Sequence, residues 1–358
     1  MKGADLYPSG LGVRFTPKLM VKYVLLSLGV VGLLVFGSGV ASQSSGPASQ
    51  QERFVVRVPE DFLTIQEAID AVAEGGTVLI GPGTYREHLK ISKSLRLRGA
   101  SQGSVQIQPV DHGGVTIDIA SEKPIQVSLE DFTVKNKGFL SSSGIRVGGA
   151  VQASMERLTV SEYEYGMTLS NSSAILSSVK VSHNRTGISI SGDGDIIIQE
   201  ASITENDEGI LSLGLLGEPY LIVRRSLFFL NRVMAVGLIG GLYGGLAATL
   251  DGNQIVKNFG GVYVGRYYQP DLVKALLSAE PGPTIIAMYN NQITGNLLYG
   301  IAITLKECLR GMRDEDLRFI LLSSSSDVIF TGRDNDIKDN GKGDLCPPDY
   351  PWPPGFRK

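Results

Sequence analysis

The stretch VKVSHNRTGISI, residues 179–190, decides the fold. Its first six residues alternate apolar and polar, end at Asn184 and are followed by Gly187-Ile188. The phrase returns as ASITEN (201–206), SLFFLN (226–231), NQIVKN (253–258), NQITGN (291–296) and NDIKDN (335–340). Partner pairs Gly209-Ile210, Ala235-Val236, Gly261-Val262 and Gly300-Ile301 follow the middle copies. A recurrence every roughly 22 residues marks a stack of repeats. Period-two alternation without a helix-period stripe makes each unit a set of short strands, and stacked strand rungs make a parallel β-helix. Degenerate copies at LTVSEYEYGM (158–167) and DFTVKNKG (131–138) extend the array upstream. Equivalent residues of adjacent rungs lie about 4.8 Å apart, so the repeated Asn side chains can hydrogen-bond along a column. That structural role is the preferred reading of the Asn column over a catalytic one.

Upstream of the repeats, Thr64-Ile65-Gln66-Glu67 is a capping box, and Ile65, Ala68, Ile69 and Val72 fall on one helical face. Gly75-Gly76 supplies a left-handed stop. A one-sided helix about ten residues long would plug the open end of the coil, whose strand edges would otherwise be free to associate. The whole segment, VPEDFLTIQEAIDAVAEGGTVLIGPGTYREHLKISKSLRLRG from Val58 to Gly99, resembles the opening of right-handed parallel β-helix proteins of the pectin lyase-like superfamily. It includes the pectinesterase-type phrase Gly83-Thr84-Tyr85-Arg86-Glu87. The downstream repeats are similar to those of carbohydrate-binding and sugar-hydrolase β-helices and of NosD-like periplasmic proteins. The resemblance spans about residues 55–345 and implies an all-β, single-stranded right-handed parallel β-helix with an N-terminal capping helix and insertions in its C-terminal half. It implies no single activity, because the superfamily carries lyases, hydrolases, esterases, isomerases and binders on one scaffold. Tyr85 and Glu87 read as structural parts of the cap.

The N-terminus has the layout of a secretory signal. Arg14, Lys18 and Lys22 precede the apolar run Tyr23–Gly37, and Gly39-Val40-Ala41 is a small-residue site for scission after Ala41. The alternative is an uncleaved anchor through residues 23–40. Translation from Met20 instead of Met1 would leave a conventional signal. The expected organisation is therefore a signal at 1–41, a polar Ser/Gln-rich linker at 42–53, the β-helix at 54–345 and a Pro-rich capping tail at 346–358. Losing residues 1–41 removes four basic residues (Lys2, Arg14, Lys18, Lys22) and one acidic residue (Asp5), moving the net charge from −3 to about −6. A mildly acidic chain without basic clusters excludes nucleic acid as the expected partner. The two cysteines, Cys308 and Cys346, form an even pair in an exported chain and are expected to be bonded. His88, His112 and His183 stand alone, so no metal site and no cofactor are expected. The only Ca²⁺ candidates are Asp193 with Asp195 and the group Asp334, Asp336 and Asp339, for which turn formation is the preferred reading.

After Leu211 the repeat is interrupted at Ser212–Glu218, Gly237–Gly245, Arg266–Pro283 and Thr304–Arg318. Thr304-x-x-Glu307 with Leu305, Cys308, Leu309 and Met312 predicts a helix in the last insertion, and a second is expected over Asp271–Ala279. Loops on a rigid solenoid are the usual place for binding surfaces. Tyr243, Arg266, Tyr267, Tyr268 and Gln269 combine aromatic faces with planar donors, a combination suited to a sugar. The alternative is that these tyrosines pack under the following helix.

Glu164, Arg185, Asp207 and Arg232 recur at one position of successive rungs and predict an external salt-bridge ladder. Pectinesterase-like, polygalacturonase-like and pectate-lyase-like chemistries each need characteristic Asp, Arg, His or Lys phrases. None is present, and Asp327–Gly332 and Asp111-His112-Gly113 are the closest strings. The sequence therefore supports an exported β-helix that binds extracytoplasmic carbohydrate or serves as a surface module. The alternatives are a polysaccharide-active enzyme with a divergent site and a NosD-like accessory protein.

Overall fold

The computed structural model describes residues 53–111, 113–136, 142–214, 217–241, 245–266, 282–312 and 328–356. Their strands wind into a parallel coil with three faces. The first face runs from Arg53–Val58 and Val72–Ile80 through Ser173–Ser177, Gly194–Gln199, Pro219–Arg224, Leu246–Asp251 and Thr284–Tyr289 to Val328–Arg333. The second face is a separate ten-stranded sheet of short strands from Gly83–Arg86 to Asp336–Lys338. The third runs from Leu89–Ile91 to Gly343–Cys346, one residue beyond the expected end of the coil. First and third faces belong to one 19-stranded sheet, because Gly114–Glu130 and Ser142–Glu156 pass continuously around the corner between them.

Alternation puts every second residue inside. Val181, Ile203, Phe228, Ile255 and Ile293 stack as one fully buried column of the second face. Burying side chains of this size contributes about 1.5–3 kcal/mol each. At the turn into the third face the rung backbones pass so close that a Cβ on Gly261 would lie 2.0 Å from the Gly300 carbonyl oxygen. That crowding explains the small residue, Gly or Ala, that follows Asn184 and the middle copies.

The Asn column is a continuous ladder. The side-chain oxygens of Asn206, Asn231, Asn258, Asn296 and Asn340 each accept from both the backbone N–H and the amide of the Asn one rung before, at 2.8–3.2 Å. The residue before each Asn is held at positive φ, for example His183 (57°), Glu205 (58°), Leu230 (56°) and Lys257 (55°). A second ladder, between the first and second faces, joins Asn253, Asn291 and Asn335 with Ser226 at its head. These are the leading Asn residues of NQIVKN, NQITGN and NDIKDN. Tyr163 takes the ladder position one rung before Asn184, and its hydroxyl meets Thr116 Oγ1 at 2.9 Å inside the coil.

The cap departs from expectation in one respect. The helix, α1, covers only Ile65–Ala71, and the Thr64–Glu67 capping box is formed. It ends at Val72 in extended conformation because the β-branched residue joins the strand pairing with Arg53, and Gly75 (φ 76°) bends that strand instead of stopping the helix. Glu87 accepts from the N–H groups of Ile65 and Gln66, both at 2.9 Å, holding the helix start. Tyr85 donates to the Gly81 carbonyl at 2.9 Å. At the other end Phe330 is covered by Tyr350, Trp352 and Phe356, with ring centroids 4.9–6.0 Å away. The Tyr350 hydroxyl donates to Val328 O and the Trp352 indole to Pro347 O.

The helix expected at Thr304–Met312 is absent. Cys308, Leu309 and Met312 instead close a run of turns, with a bridge between Arg310 and Met312. The segment lies on the outside of the third face, where Cys308, Leu309 and Met312 join Met234, Tyr263, Leu298 and Ala302 in a second buried cluster. Cys308 is bonded to Cys346, with Cα atoms 5.7 Å apart. The helix expected over Asp271–Ala279 lies outside the described residues.

Candidate functional site at one corner of the coil

The insertions share one address. Connections 215–218, 241–245, 267–283 and 304–327 all leave the third face and return to the first. In earlier rungs the same corner is turned by Asn171-Ser172 and Gly192-Asp193. The insertions begin later than expected, since Ser212–Gly214 and Gly237–Gly240 still belong to strands. Their departure points stack, Gly214 against Gly240 and Gly240 against Arg266.

Arg266 ends the strand Val262–Arg266 on the inward alternation and is only 9% exposed. Its partner Gly240 has room for nothing more, because a Cβ there would lie 2.1 Å from Thr284 Oγ1. Among the described residues, the hydroxyls of Thr284 and, on the strand Glu208–Gly214, of Ser212 are fully buried without a hydrogen-bond partner. Tyr243, Tyr267, Tyr268 and Gln269 lie outside the described residues. The described strand ends that flank them, Gly240 with Leu246 and Arg266 with Thr284, lie in successive rungs.

The charged column resolves into discrete pairs instead of a continuous ladder. Arg185 meets Glu164 at 3.0 Å and Arg232 meets Asp207 at 2.8 Å. Beside them Thr186 Oγ1 donates to the buried carboxylate of Glu208 at 2.8 Å. Burial pushes the Tyr165 phenol up, and Glu164 and Glu208 add to the shift against Arg185. Reversing Arg185 to Glu places like charges at the Glu164 contact and is expected to cost about 1 kcal/mol, the scale of an exposed pair. Thermal melts at low and high salt check this, since the loss should shrink as salt screens the repulsion.

A denser network surrounds Asp131, which receives two guanidinium bonds from Arg157 at 2.6 and 3.0 Å and lies 3.6 Å from Arg98. The Arg157 hydrogen bonds hold the Asp131 carboxyl below its ordinary range. A depressed carboxyl stabilises the fold above its unfolded-state pKa and loses that contribution as pH falls through the folded-state value. Denaturation midpoints should therefore drop below about pH 4. Asp131→Asn, which tolerates the residue's φ of 64°, should flatten that acid limb while lowering neutral stability by about 1 kcal/mol or less, given the exposure of Arg157.

Three of the Ca²⁺ candidates make local contacts. Asp193 accepts from the Glu218 N–H at 2.9 Å, Asp334 lies 3.6 Å from Arg333, and Asp336 pairs with Lys338 at 2.7 Å. Among the described residues, no group of three or more His, Cys, Asp or Glu side chains could hold a metal ion. Asp327 and His112 lie outside the described residues, and Asp111 sits 3.2 Å from His88.

Comparison with known proteins fits this architecture. The model of the right handed beta helix region matches residues 143–346, and the chain belongs to that family. Over 92 residues it is 36% identical to a cell surface glycoprotein of Methanothermus fervidus, a match covering 25% of this chain and 15% of that protein. Among solved structures, a 1,3-alpha-1,4-beta-D-galactose-4-sulfate-3,6-anhydro-D-galactose-2-sulfate 4 galactohydrolase superposes with TM-score 0.51 at 12% identity. The superposition covers 88% of this chain and 96% of the enzyme. The mannuronan C-5 epimerase AlgE4 A-module of Azotobacter vinelandii gives 0.45 at 16% identity, covering 78% and 92%. At 12% identity the likeness to the galactohydrolase is one of fold alone.

Proposed function

We propose that this chain is an exported β-helix protein that binds extracytoplasmic carbohydrate through the loops of the corner between its third and first faces. The observation that supports the reading is that the described strands flanking successive insertions, including those whose sequences hold Tyr243 and Tyr267–Gln269, end at one corner, where Arg266 closes its strand. A rigid coil needs none of these residues for its own pairing, and aromatic faces beside planar donors match a sugar ring and its hydroxyls. The partial match to a cell surface glycoprotein supports an extracytoplasmic location. The cluster of Tyr165, Glu164, Arg185 and Glu208 gives an enzymatic reading a foothold, and analysis of released products separates the two.

Replacing Tyr267 and Tyr268 together by Ala is expected to weaken glycan binding by about 1–3 kcal/mol at unchanged stability. Isothermal titration and urea denaturation of the same preparation check both halves. Unchanged affinity would move the site elsewhere, and a parallel loss of stability would show that the rings pack under the following segment.

A further inference from the structure

The full sequence holds two Asn-x-Ser/Thr acceptor sites, Asn171-Ser172-Ser173 and Asn184-Arg185-Thr186. The coil treats them oppositely. Asn184 is 0% exposed, and its amide nitrogen donates to Asn206 Oδ1 and Ser182 O, both at 3.0 Å, inside the ladder. Asn171 is exposed and sits at φ 49° on the two-residue turn between Tyr165–Ser170 and Ser173–Ser177. Its side-chain oxygen is engaged, accepting from the Asp193 N–H at 3.2 Å across the Gly192 turn, while its amide nitrogen makes no hydrogen bond among the described residues. We infer that Asn171 is an N-glycosylation site of the folded protein and that Asn184 is not, an inference resting on the export proposed above.

The chemistry consumes only what Asn171 has free. A transferase brings a polyprenyl-phosphate-linked oligosaccharide, and the Asn171 amide nitrogen bonds to the anomeric carbon. The bond from that carbon to the phosphate oxygen breaks, the lipid phosphate leaves, and the nitrogen loses one proton. The amide oxygen keeps its contact with Asp193, so the turn survives modification. At Asn184 the same step would break the ladder. The attached glycan would stand on the loop-bearing corner, before the first insertion.

Peptide mass mapping of the full chain recovered from its own cells tests this, together with fractionation and the mass of the N-terminal peptide. The expected result is an extracytoplasmic chain with a glycan on the Asn171 peptide and a bare Asn184 peptide. Ser173→Ala, which leaves the Asn171 turn in place, should abolish the glycan, and Ser173→Thr should retain it. An exported chain bare at Asn171, or one modified at Asn184, overturns the inference and leaves export standing. A chain confined to the cytoplasm overturns both.

Discussion

Replacing Asn231 by Ala is expected to cost the fold about 3 kcal/mol or more, because each buried polar group left without a partner costs about 1–3 kcal/mol. Asn231 is 1% exposed. Its oxygen accepts from the Asn206 backbone N–H and amide at 3.1 and 3.2 Å, and its amide donates to Ile203 O at 3.0 Å and Asn258 Oδ1 at 2.8 Å. Alanine strands the Asn206 backbone N–H and removes the amide donor to the Ile203 carbonyl where water cannot replace them, while the Asn206 amide keeps Val181 O and Thr204 O, both at 3.1 Å. Aspartate should be at least as damaging at neutral pH, since it turns an acceptor toward Ile203 O and Asn258 Oδ1, and should recover in acid when a proton restores one donor. Urea denaturation of both variants checks the size and the pH dependence. A loss below about 1 kcal/mol would mean that the ladder is ornament on a coil held by its core alone.

Breaking the Cys308–Cys346 bond is the second large effect. The bond closes a loop across a sequence separation of 38, which in the chain-entropy account corresponds to about 3–4 kcal/mol. It also pins the turns around Leu305–Met312 onto Tyr263, Ala302 and Met234, so losing it should loosen that outer cluster before the coil. Cys308→Ser with Cys346→Ser should lower the denaturation midpoint and speed hydrogen exchange at the Cys308 and Leu309 amides. The Asn ladder of the middle rungs should stay protected. Non-reducing peptide mapping should find one linked pair in the parent protein, and freely alkylated thiols would contradict the account.

How much of this could be read from residues alone follows from what repeats and what does not. The Asn and Gly positions recur because every rung solves the same turn, so the coil, its interior and the first ladder were legible. The second ladder was equally visible as the leading Asn of three phrases, but it begins only at Ser226 and so lacks a copy in the early rungs. The segment at Thr304–Met312 was misread because Leu305, Cys308, Leu309 and Met312 at helical spacing specify a one-sided apolar face. Turns tied by a disulfide satisfy that face as well as a helix does. The common corner of the insertions was hidden, since their order along the chain does not say which face they leave. Arg266 looked like a loop residue, yet strand alternation turns it inward at the corner. Glu208 is not legible beside the Asp207 column because nothing in the sequence distinguishes a buried carboxylate from its more exposed neighbour.

The most direct test of the central claim is a titration of the full chain against a panel of extracytoplasmic polysaccharides, with released reducing and unsaturated ends measured in the same samples. Saturable retention of at least one polysaccharide without product is the result predicted here. Chain cleavage or lyase product, or no retention on any member of the panel, would contradict it.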